Sequence, residues 1–250
     1  MANEEDVALL KRGIVDWNAW RARSPTTSIQ LANAILTNLK LSDANLFEAL
    51  LFGADLSAAD LAGANLSCAH LEGACLLGAN LTGANLTNAQ LSDANLTGAD
   101  LTYADLTHAN LNQTNLTMAK LTGTNLTTTV LCETVFAAVN LTQSVGLESC
   151  NHLAPSILDH RTLLNSKQLP LVFLRGVGLP DRLIEYLPSL MDAGPIQFYS
   201  CFISYSTQNQ DFADRLHADL QANGVRCWFA PHDMQPGKKM HEQIDDYQTL

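Results

Sequence analysis

Few residues of this 250-residue chain have the types and spacing that chemistry requires, and most of those lie in its last fifty positions. Gly237-Lys238-Lys239 pairs glycine with lysine as a phosphate-cradling loop does, but the upstream glycine is missing, so no such loop is expected. Nearby stand the hydroxyls of Ser204, Tyr205 and Ser206, the indole of Trp228, and the loop containing Asp233, Pro236, Gly237 and Lys238, groups able to line a pocket or an interface. His152, Asp159 and His160 have the types of a catalytic group, yet nothing places a nucleophile beside them. The six cysteines show no CxxC spacing and no paired framework, and read as reduced thiols filling small spaces in a cytoplasmic protein. No metal site and no cofactor is expected.

The elements that must position these groups differ along the chain. Phe198 to Tyr205 is an apolar, β-prone run, Asn209 to Ala222 reads as a helix with Phe212, Leu216 and Leu220 on one stripe, and Val225 to Phe229 reads as a second strand. Upstream, residues 146–197 read as a helical cap and connector. Helices are expected at Ser156–Leu164 and Pro180–Leu190, with the apolar run Leu169–Leu174 between them and Pro and Gly breaking the stretch into short elements.

Residues 29–145 are a different material. A leucine recurs every fifth residue from Leu31 to Leu141, with Phe136 the one substitute in 23 pentads. The residue two before it is Ala in 16 pentads, the one before it Asn or Asp in 13, and the one after it Ser or Thr in 14. A step of five rotates about 140° around a helix and changes face in a strand, so neither makes an apolar stripe. A short extended piece followed by a corner does. Ala and Leu then point inward, Asn/Asp and Ser/Thr outward, and the fifth position turns, with Gly at seven corners supplying positive φ. A chain turning the same way at every pentad is a solenoid whose coils rise by about 4.8 Å.

Open solenoid ends need covers. Residues 4–23 read as one amphipathic helix, within an N-terminal segment 1–28, whose Val7, Leu10, Ile14, Trp17 and Trp20 close the first coil. Towards the other end Ala gives way to Thr114, Thr124, Thr129, Thr134 and Val139, which reads as a widening or fraying interior. Nine acids against two lysines give residues 29–145 seven of the chain's eleven net negative charges, which argues against direct nucleic-acid binding. The acidic start Met1–Asp6 is unlike a secretion signal, and no apolar run is long enough to cross a bilayer, so neither export nor a membrane partner is expected.

The repeat resembles the pentapeptide-repeat family, whose motif A(D/N)LxX it follows from Ile29 to about Gln143. That resemblance implies a right-handed quadrilateral β-helix with four pentads per coil, nearly six coils in all. The last segment, 198–250, resembles the start of a TIR domain: Phe202-Ile203-Ser204-Tyr205-Ser206, then Cys227-Trp228-Phe229, then the Asp233…Pro236-Gly237 loop. The resemblance implies NAD cleavage or homotypic signalling, with Ser204, Tyr205, Ser206, Trp228, Asp233, Pro236, Gly237 and Lys238 flanking a nucleotide or forming an interface. It also implies a later helix bearing a catalytic Glu, which the sequence does not contain, and Asn209 stands where an acidic residue is usual. Glu242 belongs to the helix after the loop and is not its substitute. One βαβ unit cannot cover both faces of a parallel sheet, so this TIR portion is expected to be truncated and dependent on neighbours. The expected function is a non-catalytic scaffold in bacterial TIR-type signalling or defence, with other TIR domains as partners. The alternatives are an NAD glycohydrolase completed by a second TIR chain and an acidic DNA mimic that binds a topoisomerase.

Overall fold

At every fifth residue from Asn33 to Ala138 the backbone turns through the left-handed region, with φ between 52° and 67°. Seven of these corners are glycine, but fifteen are not, and they include Tyr103, Met118 and Thr128. From Asn33 to Gly123 each corner N–H is held by a carbonyl of the coil above, as Asn33 N–H is by Phe52 O at 2.9 Å, and the next N–H closes the turn, as Ala34 N–H does on Leu31 O at 3.0 Å. Two fixed bonds per corner outweigh the roughly 1–2 kcal/mol that a side chain costs there.

The computed structural model describes residues 2–192, 201–203, 210–222 and 227–229. Between corners the chain is extended and pairs in parallel with the residue twenty positions on: Gln30 with Leu50, Ile35 with Asp55, Lys40 with Asp60, Asn45 with Asn65, and so upward. Four pentads therefore make one coil, and the rod has four walls, named here by their lowest residues Gln30, Ile35, Lys40 and Asn45. The repeat leucines are fully buried along the axis with the alanines beside them. The register ends unevenly: Lys120 has no bridge to Asn140. Short strands β1 (Val130–Leu131) and β2 (Val135–Phe136) pair with β3 (Asn151–His152) and β4 (Ile157–Leu158), one and two residues beyond the register of twenty.

The N-terminal cover is two helices rather than one: α1 (Glu4–Arg12) and α2 (Ile14–Arg23) part at Gly13, whose φ of 139° and ψ of 159° only glycine adopts readily. Beyond the repeat, Ser156–Leu164 is not one helix. Ile157–Leu158 is β4, and α3 (His160–Asn165) follows with Asp159 as its N-cap. The apolar run Leu169–Leu174 contains a helix, α4 (Leu171–Gly176), and α5 (Asp181–Asp192) follows.

The chain divides into two compact units, Met1–Leu187 and Pro188–Leu250. In the second, β5 (Cys201–Ile203) pairs in parallel with β6 (Cys227–Phe229), and α6 (Gln210–Ala222) lies against β6. The buried stripe of α6 is centred on Ala213, with Leu216 and Leu220 half-buried, whereas Phe212 is 63% exposed.

Candidate functional site

Of the residues picked out in the TIR-like segment, Ser204, Tyr205, Ser206, Asp233, Pro236, Gly237 and Lys238 lie outside the described residues, as does Glu242. Trp228 is in β6, in register with Phe202 of β5, and Ile203 and Phe229 are partners at the carboxyl ends of the two strands. That is the edge at which doubly wound α/β sheets hold their ligands.

Many of the rod's outward polar groups bond to the rod itself. Asn85 Oδ1 accepts from both the backbone N–H and the hydroxyl of Thr87, at 3.0 and 2.6 Å, and Asn65, Asn80, Asn95, Asn115 and Asn125 repeat the bond to their Ser or Thr. Ser57 does the same for Asp55 and holds its carboxyl below the usual range. Ser42 is the chief cause of the same effect at Asp60, while at Asp100 hydrogen bonds from Thr102 and Lys120 outweigh the opposing cost of burial. The acids do not form a stripe. Asp60 and Asp100 share the Lys40 wall with Lys40 and Lys120, and Lys120 pairs with Asp100 at 2.9 Å. Asp55, Glu72 and Asp105 fall on three other walls. Among the described residues no group of three or more His, Cys, Asp and Glu could hold a metal ion.

The inner threonines are not a frayed interior. Thr114, Thr124, Thr129 and Thr134 are fully buried, and their hydroxyls donate to the carbonyls of Leu91, Leu101, Leu106 and Leu111 in the coil below, at 2.7–2.9 Å. Ser144 continues this ladder to Leu121 O, and Cys150 reaches Leu126 O at 3.4 Å. Burial, with Glu148 adding to it, pushes the Cys150 thiol up to about 12, so it is inert as a nucleophile.

At both ends of the rod side chains stand in for part of an absent coil. Below, Asp6 accepts from Gln30 N–H, Asn18 accepts from Asn45 N–H, and Trp17 Nε1 donates to Asn45 O, each at 2.9 Å. The buried Arg21 donates to Thr27 O and Phe47 O. Above, Asp159, Thr162 and Ser166 accept from the N–H groups of Ala138, Val139 and Leu141. Burial opposes ionisation of Asp159, but the N–H groups of Ala138 and Thr162, with Arg161 and the Thr162 hydroxyl, outweigh it and hold the carboxyl well below its usual range. Phe173 of α4 meets Phe136 edge-on at 5.9 Å and His152 at 5.4 Å. His152 lies so close to Gly176 that a Cβ there has no room, and burial lowers its pKa. His152 and Asp159 are thus parts of a cover, and the catalytic reading of His152, Asp159 and His160 gains no nucleophile. Of the polar caps, the sequence reading missed Asp6, Asn18, Arg21, Thr162 and Ser166. The one local sign of them was Asp159 preceding a helix by the spacing of an N-cap.

Comparison with known proteins agrees with this geometry. Residues 49–88, 79–117, 89–127 and 109–145 match the family described as Pentapeptide repeats, in eight copies. The rod is a pentapeptide-repeat solenoid. Residues 201–247 match the family described as TIR domain. The pentapeptide match leaves out residues 29–48, yet they form a coil of the same register. Among solved structures, HetL, a pentapeptide-repeat protein involved in heterocyst differentiation regulation from the cyanobacterium Nostoc sp. strain PCC 7120, is 27% identical over 56% of this chain and 73% of its own, with TM-score 0.30. The pentapeptide-repeat protein Rfr23 from the cyanobacterium Cyanothece 51142 is 24% identical over 57% of this chain and 97% of its own, with TM-score 0.27. QnrB1, a plasmid-mediated fluoroquinolone resistance protein, is 18% identical over 68% and 95%, with TM-score 0.37. These scores are low, so the assignment rests on the family match and on the coils themselves. No curated protein matches the chain. No helix among the described residues is long and apolar enough to cross a membrane.

Proposed function

We propose that the protein is a non-catalytic interaction scaffold in bacterial TIR-type signalling or defence, its pentapeptide-repeat rod carrying the TIR segment for recognition by other TIR domains. One observation carries the reading. The repeated Asn and Asp side chains of the rod are largely engaged in bonds to their own walls, whereas the segment matching the family described as TIR domain lies at 201–247, beyond the repeats in sequence. The scattered, partly neutralised acids favour a scaffold over a DNA mimic, since a mimic needs a continuous row of carboxylates. The protein acts in the cytoplasm.

The test is an NAD cleavage assay on the purified chain, alone and mixed with a second TIR protein, run beside a binding titration of the two. Binding without nicotinamide release is the expected result. Release by the chain alone overturns the scaffold reading, and release only from the mixture replaces it with an enzyme completed by assembly.

A further inference from the structure

The lower edge of the first coil is divided in two. On the Gln30 and Asn45 walls five of the six downward groups are taken, Ala32 C=O being the exception: Gln30 N–H by Asp6, Gln30 O by Asn3 N–H, Asn45 N–H by Asn18, Asn45 O by Trp17, and Phe47 O by Arg21. On the Ile35 and Lys40 walls, among the described residues, none of the corresponding groups has a partner in this chain. They are N–H and C=O of Ile35, C=O of Thr37, N–H and C=O of Lys40, and C=O of Ser42. The upward bonds of the same segment are intact, with Leu36 N–H on Asp55 O at 2.8 Å and Leu41 N–H on Asp60 O at 2.7 Å. The ledge is therefore a formed β edge. Ile35 is 70% exposed and Lys40 is exposed.

Such a row of donors and acceptors is a template for an added strand. The rod itself indicates what fits beneath Lys40. Higher on the same wall Lys120 sits one coil above Asp100 and pairs with it at 2.9 Å. Lys40 has the same place in its pentad; its charge acts on Asp60 in the coil above, but among the described residues it closes no ion pair, and nothing lies beneath it on its wall. With α1 and α2 bonded to the other half of this end, the open ledge takes a single extended chain of about two pentads, which the blunt end of a second rod is too large to be. We propose that the Ile35–Ser42 edge binds an extended acidic peptide of a partner protein by strand addition, with a carboxylate beneath Lys40 as Asp100 lies beneath Lys120. The proposal stands on the rod alone and is independent of what the TIR segment does.

The probe is a synthetic decapeptide with the sequence of residues 93–102, end-blocked, in which Asp100 falls below Lys40 when Asn95 lies below Ile35. It is titrated into the isotope-labelled full chain while amide shifts and hydrogen exchange are followed. Binding is expected to shift the Ile35 and Lys40 amides and slow their exchange. A probe with lysine in place of that aspartate should bind about fivefold more weakly. Ile35→Pro removes one donor and should lower affinity. Because a proline there could disturb the coil, Lys40→Glu serves as the second variant and should reverse the preference between the two probes. Unchanged amides at saturating peptide, shifts confined to other walls, or equal binding of both probes by Lys40→Glu overturn the proposal. So does self-association of Lys40→Ala without peptide binding, which makes Lys40 a guard against edge pairing.

Discussion

The two ends of the rod face the same problem and solve it with different parts. Below, two helices lie across the first coil and reach it with long side chains, Trp17, Asn18 and Arg21, after Gly13 breaks the helix so that both halves can lie against it. Above, the coil itself is prolonged by strands β3 and β4, which no longer follow the pentad, and short polar side chains accept from the N–H groups of Ala138, Val139 and Leu141. The lower cover is thus a lid set on a finished edge, and the upper one is a gradual departure from the repeat. The lid leaves part of the lower edge uncovered, as at Ile35 and Lys40, and the tapering coil leaves its own gap where Lys120 does not pair with Asn140.

This contrast can be broken most forcefully by emptying each cover of its largest side chain. Trp17→Ala and Phe173→Ala should each cost about 3–5 kcal/mol in urea unfolding, both side chains being fully buried. Because the sites are at opposite ends with no shared partner, the double variant should lose close to the sum. A large departure from additivity would mean that the covers are coupled through the rod.

Next in size is Asp159. Asp159→Asn weakens acceptance from Ala138 and Thr162 N–H and should cost about 1–2 kcal/mol at neutral pH. Its folded pKa is depressed, so its stabilisation is present above the unfolded value of about 3.9 and is lost as pH falls through the folded one. The gap between the variant and the parent should close in strong acid. His152 acts at higher pH. Burial lowers its pKa, so the unfolded chain takes up a proton first, and the upper cover should begin to weaken as pH falls below about 6.5. Exchange of the α4 amides should report this, and His152→Leu should remove the dependence.

Smaller effects test the walls between the covers. Thr124→Val deletes one hydroxyl bond to Leu101 O and should cost about 1 kcal/mol. Met118→Gly relieves a left-handed corner at an exposed position and should gain about 0.5 kcal/mol, read from the same unfolding curves.

The parts of this structure legible in the sequence are those made of repeated short-range choices. Leucine every fifth residue, with alanine two before it, is enough to infer coils, because no other backbone buries that pattern. The covers were legible only as apolar helices. Asp6, Asn18 and Arg21 act on backbone 24 to 27 positions away, and a polar residue on a helix gives no sign that a distant backbone group awaits it. Threonine in place of alanine looked like a failing interior because the hydroxyl's acceptor, the leucine carbonyl 23 residues back, appears only once coils are stacked. Ile157 and Leu158 looked helical beside α3; pairing with Val135 and Phe136 outweighed local preference. In the TIR-like segment, Phe212 at helical spacing with Leu216 suggested a stripe that Ala213 holds instead.

The register of twenty has a consequence for how such a rod can change. Adding or deleting twenty residues alters its height by one step of about 4.8 Å and leaves every column of side chains aligned. Adding five turns everything above the insertion by a quarter of a revolution relative to α1 and α2. The repeat is therefore a ruler when edited by whole coils and a dial when edited by single pentads.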